Sequence, residues 1–226
     1  MSNLKVIFED NHLLVVDKPP LLATMGKKDD EDSLYRQAQE YLRTKYNKPG
    51  NVFVGVVSRL DSFVSGVIVL ARTSKAASRL SQQLRDGTVD KKYWAIVPDN
   101  LPDDAGNLVD RLVKNEARHR MEVVSPKSKP SIGEQEARLH FTTLSRANSL
   151  CLIEVKLETG RKHQIRVQFE NAGCPIVGDK KYGSDIPFKR GIALHSRRLT
   201  IEHPTKKVLQ SFESEPPTWW NLGRFE

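Results

Sequence analysis

Residues 58–74 read SRLDSFVSGVIVLARTS and set one carboxylate, Asp61, two residues after Arg59 and just before an unbroken apolar run. An acid in a short connection ordinarily caps a turn, joins a surface ion pair or meets water. Here apolar runs lie on both sides, VFVGVV and GVIVLA, which puts Asp61 at the mouth of a sheet. A charged carboxylate there needs a cation or hydrogen-bond donors to stay charged. A second constellation lies in LETGRKHQIRV, where Arg161, Lys162, His163, Gln164 and Arg166 crowd the start of an expected helix. Free backbone amides and positive side chains would converge there on a phosphate or a carboxylate, the plainer reading being a solvated basic helix start. The third element is Tyr93 in KKYWAIV, a half-buried strand aromatic whose neighbour Trp94 points to the opposite face.

Other templates fail. The six histidines form no HxxxH or HxH pair, so no metal site is expected, and His163, His195 and His203 read as hydrogen-bonding or phosphate-facing residues. There is no GxSxG elbow, no GxxxxGK[ST] loop and no GxGxxG after a strand. Cys151 and Cys174 make no ligand spacing and no disulfide framework, and both are expected reduced, Cys151 in the core of its strand. One acid, a base-rich helix start and an aromatic strand remain, with no cofactor implied.

The elements that must position these residues follow from periodicity. LKVIFEDNHLLVVDKPPLLATMG reads as two strands around a turn at residues 9–12, closed by Pro19 and Pro20. The charge run KKDDEDS is expected to be a solvated loop ending in an N-cap at Asp32 or Ser33, with Leu34, Ala38, Tyr41 and Leu42 at helical spacing beyond it. VFVGVV and GVIVLA are short buried strands with the SRLD loop between them. A helix begins at Ser74, places Ala77, Leu80 and Leu84 on one face and ends before Gly87. DKKYWAIV is a strand, residues 98–135 form a long polar excursion holding one hairpin, and a hairpin turns around residues 146–148. RKHQIRVQFENAG is a helix ended by Gly173, with Ile165, Phe169 and Ala172 on its buried face, and IALHSRRLTIEHP is a strand pair. Trp219 and Trp220 are expected to pack the tail onto the sheet. The sum is an α+β protein with a largely antiparallel mixed sheet, about three helices and one domain over residues 1–226.

The chain has 226 residues, and 38% hydrophobic content suffices for a core. Lys and Arg outnumber Asp and Glu by 36 to 28, giving a net charge of +8 and a pI near 9.5, so a polyanion is a fitting partner. No signal peptide and no membrane-length apolar run is present, so a cytoplasmic protein with no membrane role is expected, and a monomer is the default because no exposed apolar stripe is evident.

Taken in order, four stretches resemble the RluA-type pseudouridine synthase family over most of the chain: NHLLVVDKPPLLAT, SRLDSFVSGVIVLARTSKAASRL, KKYWAIV and LETGRKHQIRVQFENAGCPIVGDKKYG. The resemblance implies a cofactor-free, metal-independent isomerase that detaches uracil from its ribose in ribosomal or transfer RNA and rejoins it through carbon. It implies Asp61 as the catalytic aspartate and Arg166 as its ion-pair partner. Tyr93 would stack on the target base and share in proton transfer, and Arg59 would fill the space left by the flipped nucleotide. Ile165 would pack on the uracil, while Arg161 and His163 would bind substrate. The chain departs from the family pattern at Ser58, where His is common, and at Val64 and Lys162, where Thr is common. By the resemblance the chain is expected to begin directly with the catalytic domain, without the small RNA-binding module of some relatives, and target choice would then rest on that domain and its loops within 98–135. Two further readings stand beside this one: a catalytically silent RNA-binding or remodelling protein of the same fold, motivated by Ser58 and Val64, and a hydrolase, which lacks the second carboxylate or metal such chemistry needs.

Overall fold

The computed structural model describes residues 4–26, 32–129 and 131–225. Most of the charge run, residues 27–31, lies outside them. The chain divides into two compact units, one of residues 1–91 with 195–216, the other of 92–194 with 217–226.

In the first unit, β1 (Lys5–Glu9) and β2 (Leu13–Lys18) form the expected hairpin. Its turn is held by Asp10, whose Oδ1 accepts the backbone N–H of His12 and of Leu13, each at 2.8 Å. Ser33 caps α1 (Leu34–Lys45), its side chain accepting from the Arg36 amide. The run VFVGVV contributes only β3 (Gly55–Val56), whereas β4 (Ser65–Ala71) is fully buried. One edge of β4 pairs along its length with β2, and its other edge is shared between β3 and the parallel strand β10 (Leu194–Glu202). Helix α2 (Ser74–Arg85), capped by Thr73 and followed by Gly87 at φ 70°, covers one face. Ala76 and Leu80 pack there with Leu13, Val15, Val67, Val69 and Ala71. The alternate residues Leu14, Val16, Ile68 and Leu70 are buried as well, so both faces of this sheet are covered, which is why its strands read as continuous apolar runs.

IALHSRRLTIEHP, expected as a strand pair, holds one strand, β10, whose partner is β11 (Leu209–Glu213), in VLQSFE, where alternation is weak because only Phe212 faces the core.

The second unit is an antiparallel sheet in the order β5-β9-β8-β6-β7, comprising β5 (Asp90–Pro98), β6 (Ala105–Asn115), β7 (Arg120–Val123), β8 (Gln135–Ala147) and β9 (Leu150–Leu157). The excursion at 98–135 holds the expected hairpin, but its first arm is an eleven-residue strand that pairs with β8 as well as β7. Its alternation is blurred because Val109 faces outward while Asp110 faces Gln168 and Asn171 of α3, and Gly106 stands at an inward position. The β8–β9 turn falls at Asn148 and Ser149, both with positive φ, as a type I′ hairpin requires. Helix α3 (Gln164–Asn171) packs Val167 with Leu112, Met121, Ala137 and Tyr182, and Phe169 edge-on to Phe141. The tail is anchored by Trp220, buried and edge-on to Phe188 at 5.7 Å. Cys151 and Cys174 are free and buried. No described helix is long and apolar enough to cross a membrane.

Candidate active site

Arg59 and Asp61 lie in the first unit. Asp61 opens a turn in which the Val64 amide donates to the Asp61 carbonyl at 3.0 Å, with Ser62 and Phe63 at the corner. The residues on either side of Asp61 are pinned. Before it, buried Thr24 brackets Leu60, its hydroxyl donating to the Leu60 carbonyl at 2.8 Å and accepting the Leu60 amide at 3.2 Å. After it, the Ser62 carbonyl accepts the Leu21 amide at 2.7 Å and the Lys18 ammonium at 3.3 Å. The same Lys18 Nζ donates to the carbonyls of Pro19 at 2.9 Å and Leu22 at 2.8 Å.

Lys18 is wholly buried, and burial pushes its pKa down to about 7, partly offset by the carboxylates of Asp61 and Asp17. The register explains its position: Lys18 is opposite Gly66, at the end of β2 where β4 begins. An unpaired ammonium buried in an apolar strand would be costly, so three carbonyls converge on it, and those carbonyls belong to the two turns that flank Asp61. Lys18 and Thr24 were not singled out from sequence, although a lysine inside LLVVDKPP, a buried-strand pattern, was the available signal.

Gly66 accounts for the SG that follows the RLD. It sits at φ 112°, and a Cβ there would meet the Ser196 carbonyl oxygen at 2.3 Å and its nitrogen at 2.7 Å. Only glycine lets β10 pair at this point, through His195 opposite Ser65 and Ser196 opposite Gly66. His195 locks the joint: its Nε2–H faces the Ser214 carbonyl at 3.0 Å, which leaves Nδ1 to accept the Ser65 hydroxyl at 2.8 Å. Burial pushes the His195 pKa down to about 4, the Ser214 carbonyl opposing this in part. His203 is also fully buried, its Nε2 facing Asp10 Oδ2 at 2.8 Å, so both histidines are internal hydrogen-bonding residues.

Tyr93, Arg161, His163, Ile165 and Arg166 lie in the second unit. Tyr93 is half-buried on β5, opposite Val155 of β9. The basic stretch after Gly160 does not form the first turn of the helix: α3 begins at Gln164, and His163 precedes it at φ 53°. The Gln164 side-chain oxygen accepts the Arg161 amide at 3.0 Å and the Thr159 hydroxyl at 2.8 Å, so these donors are satisfied within the loop. Exposed Arg161 donates its Nε–H to the Glu136 carbonyl at 2.9 Å.

Arg166 is buried and holds Asp179 in a two-point pair, Nε to Oδ2 at 2.6 Å and Nη2 to Oδ1 at 2.8 Å. Its guanidinium also lies 4.9 Å from the centre of the Tyr182 ring. The Tyr182 hydroxyl accepts the Met121 amide at 3.1 Å and meets His163 Nδ1 at 2.7 Å. Burial pushes that phenol's pKa up, opposed by the Met121 amide and by Arg166 and Arg120. GDKKYG, noted in the sequence without a role for its members, thus supplies the Asp and Tyr that fix the Arg166 side chain. Ile165 is buried beside it in the chain. Among the described residues no group of three or more His, Cys, Asp or Glu is placed to hold a metal.

The human protein RNA Pseudouridylate Synthase Domain Containing 4 superposes with a TM-score of 0.80 over 98% of this chain and 92% of its own, at 23% identity. A likeness at that identity defines the fold, that of the pseudouridine synthases. Residues 12–171 match the family model for RNA pseudouridylate synthase. The RNA pseudouridine synthase YhcT of Bacillus subtilis is 33% identical over 99% of this chain and 72% of its own length. The ribosomal large subunit pseudouridine synthase D of Nitrosomonas europaea is 32% identical over 95% and 62%, and that of Pseudomonas aeruginosa 33% over 95% and 68%. This chain, spanning about two thirds of the length of those two synthases, belongs to the RNA pseudouridylate synthase family in its RluA type, a family of isomerases.

Proposed function

We propose that this protein isomerises uridine to pseudouridine in ribosomal large-subunit RNA, with Asp61 as the catalytic aspartate. The observation that carries the reading is the pinned backbone around one carboxylate: Leu60 and Ser62 are each fixed by hydrogen bonds, so the main chain that carries Asp61 is held on both sides, as positioning catalysis demands. The names of the two synthases D support the choice of RNA. In the reaction the bond from uracil nitrogen to the ribose carbon breaks and a bond from uracil C5 to the same carbon forms. The C5 proton leaves to solvent and the freed ring nitrogen takes one up.

Within this reading Arg166 pairs with Asp61. The Asp179 bridge uses the Nε–Nη2 edge of a guanidinium that carries five donors, and it fixes the plane in which the remaining donors point. Tyr93 stacks on the target base and shares in proton transfer at its ring, Ile165 packs on the uracil, and exposed Arg59 takes the place of the flipped nucleotide. Arg161 and His163 contribute to holding the RNA. Both units act as one catalytic domain, working as a cytoplasmic monomer on its RNA.

Separate incubation with unmodified transcripts of large-subunit ribosomal RNA and of transfer RNA, followed by carbodiimide mapping of pseudouridine, tests the substrate. New stops in the ribosomal transcript alone support the proposal; stops only in transfer RNA, or in neither, refute the assignment.

A further inference from the structure

Two bulky apolar side chains stand in solvent on the two turns around Asp61. Phe63, at the corner of the catalytic turn, is 45% exposed, and Leu21 on the neighbouring turn is 54% exposed. The turns are one rigid piece, joined through the Ser62 carbonyl, which accepts from both Leu21 and Lys18. Leu21 also sits at φ 68°, a left-handed conformation in which glycine or asparagine would be relaxed and a leucine is strained. A strained, exposed leucine and an exposed phenylalanine thus stand on two hydrogen-bonded turns beside Asp61.

We propose that Phe63 stacks on the base next to the target uridine in the RNA strand, with Leu21 extending the same apolar shelf. This rests on the function proposed above. Phe63 follows Asp61 by two residues, at most about 7 Å of chain, so a strand that brings its uridine to Asp61 must pass the Ser62–Phe63 corner. The net charge of +8 favours a phosphate backbone along this surface. Unpaired bases stacked on exposed aromatics are the usual way proteins hold single-stranded RNA, and any base can stack. The flanking base is therefore gripped without being read, and recognition of the uridine is left to the catalytic pocket.

Phe63→Ala, Phe63→Leu and Phe63→Tyr, compared with the unaltered protein, test this. One assay is tritium release from C5-labelled large-subunit ribosomal RNA; the other is anisotropy of a short fluorescein-labelled oligouridine, which has no pairing partner. The expected result is a loss of about 5- to 150-fold in affinity and in kcat/KM for Phe63→Ala, carried by KM more than by kcat, with an unchanged thermal midpoint. Phe63→Tyr restores both and Phe63→Leu does not. Wild-type values for Phe63→Ala in both assays, or a loss that Phe63→Tyr fails to restore, overturn the proposal. Should the unaltered protein release no tritium, the functional reading fails, while the anisotropy comparison still decides the stacking.

Discussion

Asp179 offers the sharpest test of how the second unit holds Arg166. Both side chains are buried, 3% and 1% exposed, and they meet at 2.6 and 2.8 Å. Asp179→Asn keeps the shape but removes the charge, leaving a buried guanidinium opposed by an amide that places an N–H donor where a carboxylate oxygen had accepted. Removing one partner of a buried pair costs about 3–5 kcal/mol, because the other charge remains desolvated. A chain of this size loses about 2–4 °C of Tm per kcal/mol, so a fall of roughly 6–20 °C is expected. Glu40→Gln is the control: its pair with Arg43 on α1 is exposed on both sides, and its loss should cost less than about 1 kcal/mol. Scanning calorimetry of both variants at pH 7 supplies the comparison. An Asp179→Asn midpoint within about 2 °C of the unaltered protein would falsify the claim that this bridge fixes Arg166.

Gly66→Ala should destabilise by about 2–5 kcal/mol, since the new methyl meets the Ser196 backbone, which cannot swing aside as a side chain would; an unchanged urea midpoint contradicts the close approach of β4 and β10. His195 predicts an acid-labile joint. Its folded pKa lies near 4 against 6.5 for the free side chain, so the neutral form is the one the fold favours. That stabilisation is complete above pH 6.5 and is lost as pH falls toward 4; the gap, at about 1.4 kcal/mol per pH unit, amounts to about 3 kcal/mol. Urea midpoints between pH 7 and 4.5 should fall more steeply for the unaltered protein than for His195→Gln, and parallel curves would count against the assignment.

The hairpins, the α1 cap at Ser33, the Gly87 and Gly173 helix stops and the order of the four motifs were legible because each rests on local chemistry, a turn residue or a period. β11 and the length of β6 were not: their pairing is set by distant strands, and apolar residues on their exposed faces, Leu209 and Val109, break the alternation. In the site, the acid and its motif were visible. Lys18, Thr24, Asp179 and Tyr182 were missed as functional supports because each acts on a neighbour distant in sequence, Thr24 on Leu60 and Lys18 on Ser62, a relation that no spacing encodes. The helix start was misplaced for a different reason: Gly160 and the basic run suggest a first helical turn, but α3 begins only at Gln164, because His163 is left-handed and the Gln164 side chain closes the preceding loop on the Arg161 amide. The exposed Phe63 and Leu21 likewise escaped notice, since sequence alternation does not reveal which apolar residues stand on turn tips.

The account stands most directly on Asp61. Tritium release from C5-labelled large-subunit ribosomal RNA should proceed with the unaltered protein and fall to background with Asp61→Asn, whose Tm and salt-sensitive RNA binding stay close to those of the parent. Release by Asp61→Asn at a rate near that of the parent would contradict the central claim and move the chemistry to another residue.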